Sequence, residues 1–435
     1  MGRHGEAMRP RWLFRPFAGL LICGVGVSFG LVYVVAATGG LAIHTPWSKM
    51  ELRSIRSLRL GALPAVPPDP SNRYADDAQA AELGHRLFFD ARFSVDDRVS
   101  CATCHKPDRL FQDGLPRARG LGLDDRRTPS IVGAAYSPWL NWDGSADTLW
   151  AQATGPFEEA IEMGGDRTFA AHLIARHYRR RYEAVFGPLP ADLARLPRHA
   201  GPSGDAATRS AWRSMSAVDR RSVSRVLANM GKAIEAYERK LNPGPALFDR
   251  YAQAVLSGHP GRAKTIYSGD QVEGLRLFIG AAGCIDCHNG PLFTNEAFEN
   301  TGVPPAFGLS PDPGRQVGVK LVLKDPFNSA GSFSDAPPGA PTRLGTAVTS
   351  SPSLAGQFKT PSLRNVADIA PYMHAGQFAT LQQVVDFYSR APAAPLGRSL
   401  LRPLGLTSQE KAQLVAFLRT LSGPLAGDPK WLAPP

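Results

Sequence analysis

The chain has 435 residues, enough for two or three domains with cores of their own. Gly and Pro number 43 and 38, which favours loops over a repeat array or a coiled coil. The net charge of +11 fits a basic surface or an acidic protein partner, and without a module of interleaved basic and aromatic residues nucleic acid is not expected.

At the start, Arg3, Arg9, Arg11 and Arg15 precede an uncharged run from Pro16 to Ile43. That run exceeds the ~20 residues needed to span a bilayer. It is also longer than the apolar core of a cleaved signal. The positive flank stays cytoplasmic, so residues 1–45 are expected to be an N-terminal anchor or signal, with the rest in the periplasm. A transmembrane helix fits best, although Ala36-Ala37-Thr38 leaves cleavage open.

Residues 46–74 read as a linker closed by Pro64, Pro67, Pro68 and Pro70. Helical spacing follows over 75–89, then a turn-prone stretch over 113–127. A helix over 147–160 is expected to break at Gly155-Pro156. Strong helices follow over 168–186 and 217–239, with a Pro/Gly-rich surface insertion between them at 188–204. Asn242-Pro243-Gly244-Pro245 looks like an interdomain connection. A helix over 270–281 precedes a long irregular stretch over 290–359. Helices close the chain over 380–388 and 408–421, the second opened by a capping pattern, Thr407-Ser408-Gln409-Glu410. Period-two strands are scarce, so the class is mostly α.

Five cysteines are present, and four fall into two motifs: Cys101-Ala102-Thr103-Cys104-His105 and Cys284-Ile285-Asp286-Cys287-His288. Two cysteines on one turn can each form a thioether to a porphyrin vinyl group, and the next His then reaches the iron. A zinc site would need further Cys partners, and the one remaining, Cys23, sits in the apolar run. The motifs therefore indicate two covalently bound haem c groups, with Cys101, Cys104, Cys284 and Cys287 as attachment points and His105 and His288 as iron ligands. Apart from them, no internal repeat is evident. The expected architecture is two cytochrome c-like haem domains, 75–242 and 243–425, after the N-terminal transmembrane helix.

Each motif has far more chain around it than a pure electron carrier needs. His85, His172, His177, His199, His259 and His374 are candidate sixth ligands, but no His or Met lies between His105 and Trp142. If that stretch covers the first haem, its iron lacks a strong sixth ligand and is open to a small oxidant such as peroxide.

Leu83-Gly84-His85-Arg86-Leu87-Phe88-Phe89-Asp90 ahead of Ser100 and the first motif resembles the opening of the bacterial dihaem cytochrome c peroxidase and MauG family. Arg126-Arg127-Thr128-Pro129-Ser130, Trp142-Asp143-Gly144, Gln152, Gly155-Pro156 and Glu162-Met163 continue the resemblance in order. So do Lys359-Thr360-Pro361-Ser362-Leu363-Arg364-Asn365-Val366 and Pro371-Tyr372-Met373-His374-Ala375-Gly376. The resemblance runs from about residue 77 to 423.

It implies a peroxidatic first haem and an electron-transfer second haem, with Trp142 between them. It makes Glu162 and Gln152 the distal acid and amide. A carboxylate there can take and return a peroxide proton, and an amide can orient the substrate. Leu121, within Arg119-Gly120-Leu121-Gly122, stands where classical members carry a distal His, so no reductive activation is expected. Tyr388 stands where they carry a Met ligand of the second haem, as in the MauG-like members. Family members often bind calcium between the domains through the Asn of an Arg-Asn-x-Pro motif. Arg127 holds that position here, which leaves a cation only the Ile369 and Pro371 carbonyls and water.

The resemblance implies reduction of hydrogen peroxide with electrons from a small donor cytochrome or cupredoxin. The alternatives are oxidation of a protein or organic substrate through a high-valent haem, as MauG does, and non-catalytic electron transfer.

Overall fold

The computed structural model describes residues 46–349 and 351–435. The expected anchor over 1–45 lies outside these residues. Among the described residues no helix is long and apolar enough to cross a membrane.

The expected linker contains a helix, α1 (Lys49–Leu58). Ser48 and Glu51 cap it reciprocally: Glu51 N donates to Ser48 Oγ (3.2 Å) and Ser48 N to Glu51 Oε2 (2.7 Å). Leu52, Ile55 and Leu58 recur on one face, and Ile55 and Leu58 are fully buried. The prolines that mark a linker begin only after this helix has ended.

α2 (Ala78–Phe89) is capped by Asp77, which accepts from Ala80 N (2.8 Å). The one-turn α3 (Cys101–Cys104) is the first haem motif. α4 (Leu149–Glu158) runs through Gly155-Pro156 without the expected break. Pro156 lies in the last turn, where its ring costs one bond to the Gln152 carbonyl and the helix is about to end. The helix expected over 168–186 is α5 (Arg167–Leu173) and α6 (Arg179–Phe186), joined by a π-turn over Ile174–Tyr178. The insertion over 188–204 is not a pure surface feature, because Leu189, Leu193 and Ala200 are buried.

α7 (Ala206–Ser214) precedes the long α8 (Ala217–Glu238), capped by Ser216. After β1 (Asn242–Pro243) come α9 (Leu247–Leu256), α10 (Pro260–Ile266) and α11 (Gly269–Ile279). The stretch over 290–359 is largely irregular, with β2 (Phe298–Glu299), α12 (Arg315–Lys324) and β3 (Phe358–Lys359) inside it. α13 (Leu381–Arg390), α14 (Ser408–Leu418) and β4 (Leu425–Ala426) complete the chain. β1 pairs with β4 and β2 with β3, both antiparallel. The architecture is mostly helical.

Two hydrophobic clusters form. One gathers α2, α4, α5 and α8, and also takes Phe327, Phe333 and Trp431 from late in the chain. The other gathers α1, α9, α11, α13 and α14. Each is built on a helix crossing that only glycine permits. Gly84 of α2 presses on the Ala233 carbonyl of α8, and Gly274 of α11 presses on the Gln413 carbonyl of α14. A Cβ at either place would collide with backbone.

The likeness between the halves goes further and corrects the expectation of no repeat. Thr128-Pro129-Ser130 and Thr360-Pro361-Ser362 play the same part. Ser130 Oγ donates to Leu110 O (2.6 Å) and Ser362 Oγ to Leu292 O (2.7 Å). The same offset along the chain pairs Asn141 with Met373, and both adopt positive φ (61° and 68°). It also pairs Thr148 with Thr380, which cap α4 and α13, two helices of equal length. Few identities survive between the copies, so the duplication emerges only in three dimensions.

Candidate haem sites

In the first site, His105 N donates to Cys101 O (2.8 Å), closing the turn that sets both thiols on one side. The His105 ring is half-buried, and its Nδ1 donates to Phe111 O (3.0 Å). Burial lowers its pKa, so the imidazole is neutral with Nε2 left to serve as a ligand. The second site repeats this: His288 N donates to Cys284 O (2.9 Å) and His288 Nδ1 to Phe293 O (2.9 Å). Here too burial holds the ring neutral. All four motif cysteines are free of disulfides.

A cavity of about 810 Å³ opens against His105. Cys104, Trp142, Gln152, Pro156 and Glu162 line it, so the expected catalytic residues of the first half come together there. A smaller cavity of about 160 Å³ adjoins, lined by His105, Trp142 and Gln152 on one side and by Leu292, Glu296 and Pro361 on the other. Trp142 therefore borders both spaces. Its Nε1 donates to Arg127 O (3.0 Å), and Lys359 N donates to its carbonyl (2.8 Å), which pins the indole between the two halves.

Glu162 follows α4 in a tight turn whose amides return to Glu159 O. The Gly120–Gly122 strip lies against it: Leu121 N donates to Glu162 O (3.1 Å) and Gly122 N to Ile161 O (2.8 Å). A Cβ on Gly120 would come within 2.6 Å of Glu162 O. Burial pushes the Glu162 carboxyl up to about 7, with the Asp124 and Glu159 charges adding to the effect. It is poised to give or take a proton near neutrality. Leu121 does not line the cavity; its Cδ1 lies over Gly164, beside the exposed Val95.

Besides His105, the histidine on the wall of the large cavity is His374. It stacks on Phe358 with ring centroids 3.9 Å apart, and its Nε2 is 3.1 Å from Gln377 Nε2. Burial drives its pKa down to about 4, so it is neutral. His374 occupies the station of the repeat that Trp142 holds in the first half. The sequence offered it only as one histidine among several. Two further features also escaped the sequence reading. Segment 305–313 roofs the large cavity. Arg126 ties that roof down, bonding Asp312 (2.7 Å) and Asp143 (2.7 Å). Both features depend on contacts between segments far apart along the chain, which no local pattern signals.

At the second site Tyr388 is half-buried on α13, beside the Thr301 side chain and within electrostatic reach of Cys284 and Cys287. Burial pushes its phenol up to about 12. Its counterpart in the first half, by the offset that pairs Thr148 with Thr380, is Pro156. The same point on the same helix thus carries a phenol in one half and a side chain with no donor atom in the other.

Arg127 bears on the calcium expectation. Its Nη2 donates to Ile369 O (2.8 Å) and lies 3.2 Å from Gln112 Oε1. A fixed cationic group thus already meets that carbonyl. Among the described residues no group of three or more His, Cys, Asp or Glu is arranged to hold a metal ion.

Both sites fit covalent haem. Each has paired thiols on one turn and a neutral imidazole oriented through Nδ1, and a large cavity faces the first. Fold and sites together define a dihaem c-type cytochrome.

Residues 78–255 match the di-haem cytochrome c peroxidase family (CCP_MauG). The chain is 32% identical to the cytochrome-c peroxidase IdrP1 of Pseudomonas sp. (strain SCT), over 83% of this chain and 85% of that one. It is 31% identical to the methylamine utilization protein MauG of Methylorubrum extorquens, over 92% and 94%. Among solved structures, it resembles a MauG-like protein associated with microbial copper homeostasis, with a TM-score of 0.55 at 28% identity over 86% and 97%. The chain belongs to the di-haem cytochrome c peroxidase family, and it is an oxidoreductase.

Proposed function

We propose that the protein reduces hydrogen peroxide at the first haem, with electrons entering through the second from a small cytochrome or cupredoxin. Residues 75–242 form the peroxidatic domain and 243–425 the electron-transfer domain. Both stand in the periplasm, held at the inner membrane by the segment over 1–45.

The observation that carries this reading is the pairing of Pro156 with Tyr388. Tyr388 would hold the iron of a haem at the second site, and Pro156 offers no donor atom at the first. A haem attached at Cys101 and Cys104 and held by His105 would supply the iron for peroxide binding and the oxidising chemistry; the chain contributes the rest. Glu162 takes the first proton of bound peroxide and returns it to the departing oxygen. Gln152 orients the substrate through its amide. Trp142 lies on the path between the two sites and carries electrons across it. Arg127 fills the place of an interdomain cation, so calcium is not required.

A second reading is favoured by Tyr388. A phenolate ligand stabilises oxidised iron, which would suit oxidation of a protein or organic substrate, in line with the likeness to MauG. Turnover of peroxide with a reduced donor cytochrome separates the two readings.

The test is the electron paramagnetic resonance spectrum of the ferric protein before and after one equivalent of peroxide. A high-spin signal beside a low-spin one, with the high-spin signal lost on peroxide, is expected. Two low-spin signals indifferent to peroxide would mean a non-catalytic electron carrier.

A further inference from the structure

The two helix crossings put α8 and α14 in register, with Ala233 matching Gln413. Counting onward, Glu235 matches Val415 and Glu238 matches Leu418. The second half therefore shows that this helix face packs well with apolar side chains. The first half buries two carboxyls there instead, with Glu235 and Glu238 only 2% and 4% exposed. Each has one oxygen, Oε2, that meets no hydrogen-bond partner. Burying such groups costs free energy that packing does not require.

Their placement is directional. The Glu238 charge bears on the Cys101 thiol, the point of attachment of the first haem. Glu235 lies one turn back on the same face, where side chains are about 5–6 Å apart at Cβ. The Asn72 and Asp69 side chains lie within interaction reach of the Glu235 carboxyl. Asp69 is only partly buried, in the segment ahead of α2. Three carboxyls thus lead from the neighbourhood of the Cys101 thiol toward the surface. The Cys284 thiol of the second site feels the charges of Cys287 and Asp286 instead.

We infer that Glu238 is a redox-linked proton acceptor for the first haem, connected to solvent through Glu235 and Asp69. When one electron reaches the first site, one proton from solvent passes along Asp69 and Glu235 and comes to rest on the Glu238 carboxylate. The added negative charge is thereby cancelled. Loss of the electron sends the proton back. Burial alone pushes the Glu238 carboxyl up to about 8, and the positive charge of an oxidised haem opposes that shift.

The ionisable groups on the elements packed around Glu238 have other partners or are neutral. Tyr237 on α8 donates to Trp431 O (2.8 Å), and His85 on α2 meets Ala433 O (2.7 Å). Arg239 pairs with Asp76 (2.8 Å), Lys232 with Asp335 (2.7 Å) and Lys430 with Glu82 (2.8 Å). The Cys101 thiol feels Glu162 as well as Glu238.

The inference needs only a haem at Cys101 and not the peroxidase reading. It is tested by spectroelectrochemical titration of the full holoprotein at a series of pH values. The first haem's midpoint potential should fall with rising pH, approaching one proton per electron, while the second haem's stays nearly flat. Glu238→Gln and Glu238→Leu should flatten the first slope with haem content unchanged; the leucine copies position 418 and so should fold. Glu235→Gln should slow proton uptake. A wild-type first haem whose potential ignores pH would overturn the inference without any variant, as would a slope that survives in both Glu238 variants.

Discussion

The first and second halves share a chassis and differ at a few stations. Both cross two helices at a glycine, both orient the haem histidine through Nδ1 to a backbone carbonyl, and both start a helix of equal length from a threonine cap. Against that background, the differences stand out. Pro156 corresponds to Tyr388, Trp142 to His374, and Glu235 and Glu238 to Val415 and Leu418. A duplicated frame thus separates what the fold requires from what chemistry requires.

The largest effect is expected of Pro156→Tyr, which gives the first half the side chain of the second. The first site should become low-spin and its reaction with peroxide should be abolished, as read by electron paramagnetic resonance and stopped-flow mixing. An unaltered high-spin signal would mean that Pro156 does not keep the first site open.

Glu162→Gln comes next. It should slow the peroxide reaction by about 10²–10⁴-fold while leaving haem content intact. The wild-type rate carries a matching pH signature. Burial raises the Glu162 carboxyl to about 7, so below that pH it is protonated and cannot accept the proton of peroxide. The rate should climb as pH rises through about 7 and then level, and the variant should lose that step. Tyr388→Phe should alter the low-spin spectrum of the second haem only; an unchanged spectrum would rule out Tyr388 as a ligand.

The smallest effects sharpen the shared frame. Gly84→Ala and Gly274→Ala should each destabilise the protein by about 1–3 kcal/mol or more, because backbone must move to admit a methyl group. Thermal unfolding measures both. A loss at one position alone would mean that the two crossings are not equivalent.

Local signals were legible in the sequence. The two haem motifs, the α14 cap at Thr407 and Glu410 and the mostly helical class follow from spacing within a few residues. Glu162, Gln152, Trp142 and Tyr388 came from ordered motifs, and the first three share one cavity wall. What stayed hidden depends on distance. α1 was masked by the prolines after it. The duplication was masked by divergence, since Thr-Pro-Ser is too short to notice alone. Arg126 and the roof over 305–313 meet only when residues far apart in sequence pack together. Pro156 reads as a helix breaker in isolation, because only its counterpart at 388 gives it another meaning.

The reach of the late chain into the first core has a consequence for assembly. Lys232 is buried on α8, and its ammonium bonds Phe333 O (2.8 Å) and the Asp335 carboxylate (2.7 Å). Phe327 and Phe333 complete the hydrophobic cluster around it. During synthesis the first half emerges long before the segment over 327–335 arrives. Until then Lys232 has neither of these partners and the cluster lacks both rings. The first half must therefore wait for the second to finish it, so a fragment ending near residue 242 should be a poor folder and the intact chain should unfold as one cooperative body.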